Sequence, residues 1–237
     1  ARRGERVLTQ DALPTPGAGG GSGPLAREPA ALPAGVHPRR FSPADVPVSP
    51  PPVVIVAREP DGEGIRFGLA ALRSADAPMG PITVLGPAHA PRRTTASVPK
   101  SLRADVSIVP DTGPDSREGV FSRGGIALFT TVDDLAGSAA VEAMACGMTV
   151  LVPRSPEADT LVAHGRTGIT LTPFSRDEWG AAVTELLTDE PRRLTIGDAA
   201  AAEARAHDWD RVAEALERVY DEARTRPRRR PDAARIV

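Results

Sequence analysis

Two acids stand eight residues apart, Asp134 and Glu142, on either side of Gly137 and Ser138. An apolar run over residues 126–130 precedes them, and a second, residues 149–152, follows Gly147. This order predicts strand, acidic loop, helix, glycine stop and strand. Ser138 or Gly137 can cap the start of the helix, and Gly147 can supply the left-handed residue that ends it. Val141, Met144 and Ala145 recur at helical spacing and are expected to face a sheet. A helix N-terminus offers unpaired N–H groups and partial positive charge, which suit a phosphate. Carboxylates beside it can accept hydrogen bonds from sugar hydroxyls. The chemistry these residues suit is that of a nucleotide-sugar site. The plainer alternative is that one acid complements the helix dipole and the other is a solvated surface charge.

The segment 134–147 resembles the E-x7-E segment of the retaining GT-B glycosyltransferases of family 4, typically E-G-F-G-L-P-x-x-E-A-M-A-C-G. Glu142-Ala143-Met144-Ala145-Cys146-Gly147 matches as it stands. The first half departs, with Asp134 in place of Glu and only Gly137 of its two glycines kept. Further matches are spread along the chain. Residues 32–43 resemble the family's interdomain linker I-P-N-G-V-D-x-x-R-F-x-P, with Ala34 and His37 in place of its Asn and Asp. Residues 58–64 resemble the loop G-R-L-x-P-E-K-G, in which Arg58 keeps the Arg and Glu63 replaces the Lys. Gly86 falls where the family keeps a Gly for close backbone approach. Pro156-Glu157 falls at a G-G-x-P-E segment without its glycines, residues 165–168 at a G-x-T-G turn, and Trp209 opens a W-x-x-V-A helix.

The resemblance implies roles residue by residue. Glu142 holds the ribose hydroxyls and Asp134 the hydroxyls of the donor sugar. Arg58, with amides near Gly137 and Ser138, holds the diphosphate, and Gly86 lets the backbone come close. Asp134 and Arg58 are thus the candidate catalytic groups, and Glu142, Gly137, Ser138 and Gly86 the candidate substrate-binding ones. No metal or cofactor is expected, so cations must stabilise the departing nucleoside diphosphate. A Glu at position 63 sets a negative charge near that phosphate, which opposes turnover. Arg66 is the nearby cation that can replace the missing Lys. The implied partners are a nucleotide-sugar donor, an unknown acceptor, and a chain that supplies the acceptor domain. A catalytically silent nucleotide-sugar-binding or interaction module stays open as the alternative.

The elements around these residues alternate in type. Strands are expected at 53–57, 82–86, 106–109, 126–130, 149–152 and, at an edge, 169–172. Helices are expected at 64–74, 115–122, 175–187, 191–207 and 209–224. Such alternation argues an α/β fold, a Rossmann-like doubly wound parallel sheet that forms one half of a GT-B fold. The division expected is a flexible Gly/Pro-rich arm and linker remnant at 1–50, with a short strand at 5–9, the Rossmann-like domain at 51–225, and a basic disordered tail at 226–237.

Composition excludes several classes. A formal net charge of -2 over 237 residues gives no general pull toward nucleic acid or an anionic membrane. Lys100 is the only lysine and Cys146 the only cysteine, so an internal disulfide is excluded. No stretch reaches the roughly 20 apolar residues of a membrane span, no signal-peptide core opens the chain, and the expected compartment is the cytoplasm. The four histidines lack metal-ligand spacing, and no Walker loop, Gly-x-Ser-x-Gly elbow or nicotinamide-type glycine loop follows a strand.

Overall fold

The computed structural model describes residues 34–225, apart from 44, 47, 60, 61, 136 and 137 and the side chains of 222, 223 and 225. The strand expected at 5–9, the arm up to residue 33, the basic tail and Gly137 lie outside the described residues. Six parallel strands form a single sheet in the order β3-β2-β1-β4-β5-β6: β1 Val53–Val56, β2 Ile82–Pro87, β3 Val106–Asp111, β4 Ile126–Phe129, β5 Thr149–Pro153 and β6 Ile169–Leu171. β6 is an edge strand, as its position in the pattern implied. The strands are short, continuous and apolar because both of their faces are covered. Val54 and Val56 point into one core with Ala127, Phe129, Val150 and Val152. Val53 and Ile55 point into the other with Ile126, Leu128 and Leu151. This is the doubly wound arrangement.

The helices are α1 Glu63–Ser74, α2 Pro91–Ser97, α3 Pro114–Phe121, α4 Ala139–Ala145, α5 Pro156–Leu161, α6 Arg176–Thr188, α7 Glu190–Ala204 and α8 Trp209–Thr225. Two were not legible from periodicity. The short α2 carries only Thr94 and Ser97 inward, too little for an apolar pattern. The other, α5, starts where Ser155 accepts a hydrogen bond from the amide of Ala158, a local cap with one buried residue behind it. Conversely, Ser138 and Ser175 stand at the N-cap positions of α4 and α6 but neither hydroxyl caps its helix. Gly147 ends α4 at φ 71°, where a side chain would be strained.

The two tryptophans differ in burial. Trp179 on α6, not Trp209, is the fully buried one. Its indole N–H donates to the carbonyl of Thr172 at 3.0 Å, and Phe67 meets it edge-on. Trp209 is half-buried and lies flat against Gly35, where an added Cβ would fall 2.3 Å from the ring. The backbone seals this contact: the amide of Val36 donates to the carbonyl of His207, and the amide of Trp209 donates to that of Val36. Val36 and Phe41 are buried. The linker-like segment and the last helix therefore pack against each other.

Candidate functional site

Strand order reverses between β1 and β4, so the chain leaves both carboxyl ends in opposite directions and opens a crevice there. Asp134, in a 3-10 turn after β4, bolts the two loops together. Its Oδ1 accepts from the amide of Arg58, just after β1, at 2.7 Å. Its Oδ2 accepts from the amide of Thr131 at 2.9 Å and the hydroxyl of Thr130 at 3.3 Å. A carboxylate has about four acceptor positions, so about one is left. Only 1% of the residue is exposed. Burial pushes the Asp134 carboxyl above its ordinary value, and the Arg58 amide offsets this only in part. The immediate work of Asp134 is to position the loops of the crevice.

Glu142 is not the solvated surface charge of the plainer reading. Every residue of α4 is buried, because the sheet covers one side of it and α7 packs on another. Glu142 is 3% exposed, and an ion at such depth must be paired. Its partner is Arg117 of α3. The Arg117 Nε donates to Oε2 at 2.5 Å and Nη2 donates to Oε1 at 3.1 Å, a bidentate fork. The Ser138 hydroxyl donates to the same Oε1 at 2.7 Å and accepts from Arg117 Nη2 at 3.3 Å. Arg117 Nη1 reaches both oxygens of Asp111, at the end of β3. Burial pulls the Arg117 guanidinium down, but the hydrogen bond and charge of Glu142 and the charge of Asp111 outweigh it and hold it above its ordinary value.

Arg117 and Asp111 are the residues the sequence reading passed over. Asp111 ends β3 and Arg117 lies in α3, on either side of the loop at the carboxyl end of the third strand. An acid at a strand end, followed six residues on by an arginine in a Pro-started helix, was the available signal.

The remaining candidates fall unevenly. Ser138 joins the Glu142 cluster. Arg58 lies beside Asp134 through its backbone. Gly86 serves the protein's own packing: a Cβ there would lie 2.5 Å from Thr94 of α2, so the close approach is made by a helix. Cys146, at the end of α4, is buried, and burial above all, with the charge of Glu142 nearby, pushes its thiol up to about 12. Among the described residues no three His, Cys, Asp or Glu side chains gather as metal ligands. None of the described helices is long and apolar enough to cross a membrane.

Residues 116–203, which span Arg117, Asp134 and Glu142, match the family model of the glycosyl transferases group 1. The C-terminal domain of a glycosyl transferase group 1 family protein (LpcC) from Francisella tularensis superposes with a TM-score of 0.57 at 14% identity, covering 73% of this chain and 97% of that one. This chain has the fold of a C-terminal GT-B glycosyltransferase domain. The Anabaena protein HepE in complex with UDP-glucose shares the fold, with a TM-score of 0.66 and 18% identity over 83% of this chain and 58% of its own. In sequence, D-inositol 3-phosphate glycosyltransferase of Corynebacterium aurimucosum is 30% identical over 110 residues, which are 46% of this chain and 26% of that enzyme. The chain thus spans about a quarter of the length of the curated relatives it matches.

Proposed function

We propose that this GT-B domain is the donor-binding half of a hexosyltransferase of family 4 type, which transfers a sugar from a nucleotide-sugar donor with retention. The carrying observation is the placement of Glu142 at the carboxyl edge of the sheet, inside the segment that matches the group 1 glycosyl transferases. Support comes from HepE, a fold relative whose structure holds UDP-glucose, which makes a uridine nucleotide sugar the first donor to test. In this reading Glu142 receives the ribose hydroxyls and Arg58 the diphosphate. Asp134 is a positioning residue that fixes the Arg58 loop, since its own oxygens are taken by Arg58, Thr131 and Thr130. The acceptor and its binding domain come from beyond these residues or from a partner chain.

One observation favours the second reading, a catalytically silent module. Three of the roughly four acceptor positions of Glu142 are already filled by Arg117 and Ser138. Ribose must displace the guanidinium or use the last position. Glu63 in the first turn of α1, where the resembled loop has Lys, points the same way.

Calorimetric titration of the chain with UDP, GDP, ADP and UDP-glucose separates a donor site from a silent interaction module. Donor binding predicts saturable heat with at least one diphosphate. It also predicts a loss of about tenfold or more in Glu142→Gln, as a charge-assisted bond becomes a neutral one. Absence of binding at about 1 mM, an affinity worth only about 4 kcal/mol, removes the donor-site reading and leaves the silent module.

A further inference from the structure

A second cavity lies away from the donor crevice, between α1, the turn after α2 and the start of α6. It measures about 420 Å³ and none of Asp111, Arg117, Asp134 and Glu142 lines it. That volume falls within the range of small-molecule sites, about 300–1,000 Å³. Its floor is apolar, made by Leu69, Ala70, Pro99 and Leu102. Its rim is cationic, with Arg66 and Arg73 from α1 and Arg176 from α6, and no carboxylate lines it.

Two of these cations, Arg73 and Arg176, are available to a ligand. Arg73 makes no ion pair among the described residues. Among the described residues Arg176 pairs only with its neighbour Asp177 at 3.4 Å, with 62% and 87% of the two side chains exposed, a contact that water and salt weaken. The cationic character extends along the surface. Residues 91–103 hold Arg92, Arg93, Lys100 and Arg103 and no acid, on a chain whose net charge is -2. All four are exposed. A monoanion leaves one of these two guanidinium groups uncompensated. A phosphate monoester carries up to two charges and three acceptor oxygens, which suit several guanidinium forks at once. A bare phosphate, however, leaves the apolar floor uncovered.

We propose that this cavity binds a phosphate-bearing amphiphile, its phosphate held between Arg73 and Arg176 and its apolar portion laid on Leu69, Ala70 and Leu102. Arg66 is the one rim cation that is also a donor-site candidate, and the proposed site does not rest on it, so it stands or falls apart from the donor reading.

Calorimetry with the 237-residue chain tests this using two soluble probes, inorganic phosphate and dihexanoyl phosphatidic acid. The short-chain lipid should bind about tenfold or more tighter than phosphate, because it adds buried apolar area. Arg73→Ala with Arg176→Ala should weaken it about tenfold or more, and the paired Lys variants should recover part of the loss. Both side chains are exposed, so the fold survives, and UDP titration of the same double variant should be unchanged. A cosedimentation arm with phosphatidylcholine vesicles, with and without phosphatidic acid, assigns the source. Arginine-dependent capture by the acidic vesicles places the ligand in a membrane, and binding of the soluble probe alone places it among free metabolites. Equal affinity for phosphate and the amphiphile, an unchanged double variant, or no binding at about 1 mM overturns the proposal.

Discussion

At the scale of single residues, the buried acids of this domain are defined by what they hold in place. Asp134 joins the loops after β1 and β4 by accepting the amides of Arg58 and Thr131 on separate oxygens. Asn can accept only one of these and turns an N–H group toward the other, so Asp134→Asn should cost about 1–3 kcal/mol in urea unfolding. The pH dependence has a definite sign. The folded carboxyl titrates above its ordinary value, so the folded state binds the proton more tightly than the unfolded chain does. That contribution is fully present below the ordinary aspartate value and is lost as pH rises through the raised one. The stability gap between wild type and Asp134→Asn should therefore narrow as pH rises across that window, and a gap that widens contradicts the assignment. Cys146 offers a second check. With its thiol pushed up to about 12, it should resist iodoacetamide at neutral pH in the native state and react at the ordinary rate in urea.

At the scale of elements, the Arg117 fork ties α3 to α4 and to the end of β3. Arg117→Ala leaves Glu142 as an uncompensated buried charge and should cost about 3–5 kcal/mol. Arg117→Met combined with Glu142→Gln should recover much of that loss, because both ions leave together. A double-mutant cycle in urea reads the difference, and simple additivity of the two substitutions shows that the pair is not coupled. The same cluster shows where sequence reasoning stops. The strands were legible because Val, Ile and Leu run unbroken where both faces are covered, as in 53–56 and 149–152. The site was half legible. Glu142 and Asp134 stand out by their spacing around a short helix. Arg117 meets Glu142 only after α3 has folded back beside α4, a contact across 25 residues that no local pattern announces. Burial of Glu142 was likewise invisible, since it depends on α7, which arrives some fifty residues later in the chain.

At the scale of the whole molecule, the last helix and the linker-like segment before the sheet close the domain together. Val36 pairs with Asp208 as a parallel bridge, and Gly35 leaves just enough room for the Trp209 ring. Phe41 is buried in the same core as Met144 and Val141 of α4, and the backbone of Ser42 reaches the thiol of Cys146. Arg40 adds ion pairs to Asp115 and Glu118 of α3. The segment thus braces α4 from outside the sheet, and α4 carries Glu142. Two truncations measure this. A chain that starts at residue 45 loses Val36 and Phe41, each worth about 1.5–3 kcal/mol of burial, and uncovers the ring of Trp209. It should unfold about 3–6 kcal/mol more easily than a chain that starts at residue 34, before loss of the backbone bridge is added. Because the brace bears on α4, nucleotide affinity should fall with stability in the shorter chain when both are measured below its unfolding transition. Equal stability of the two chains refutes the brace. Lower stability with unchanged nucleotide binding shows that the brace holds the fold without reaching Glu142.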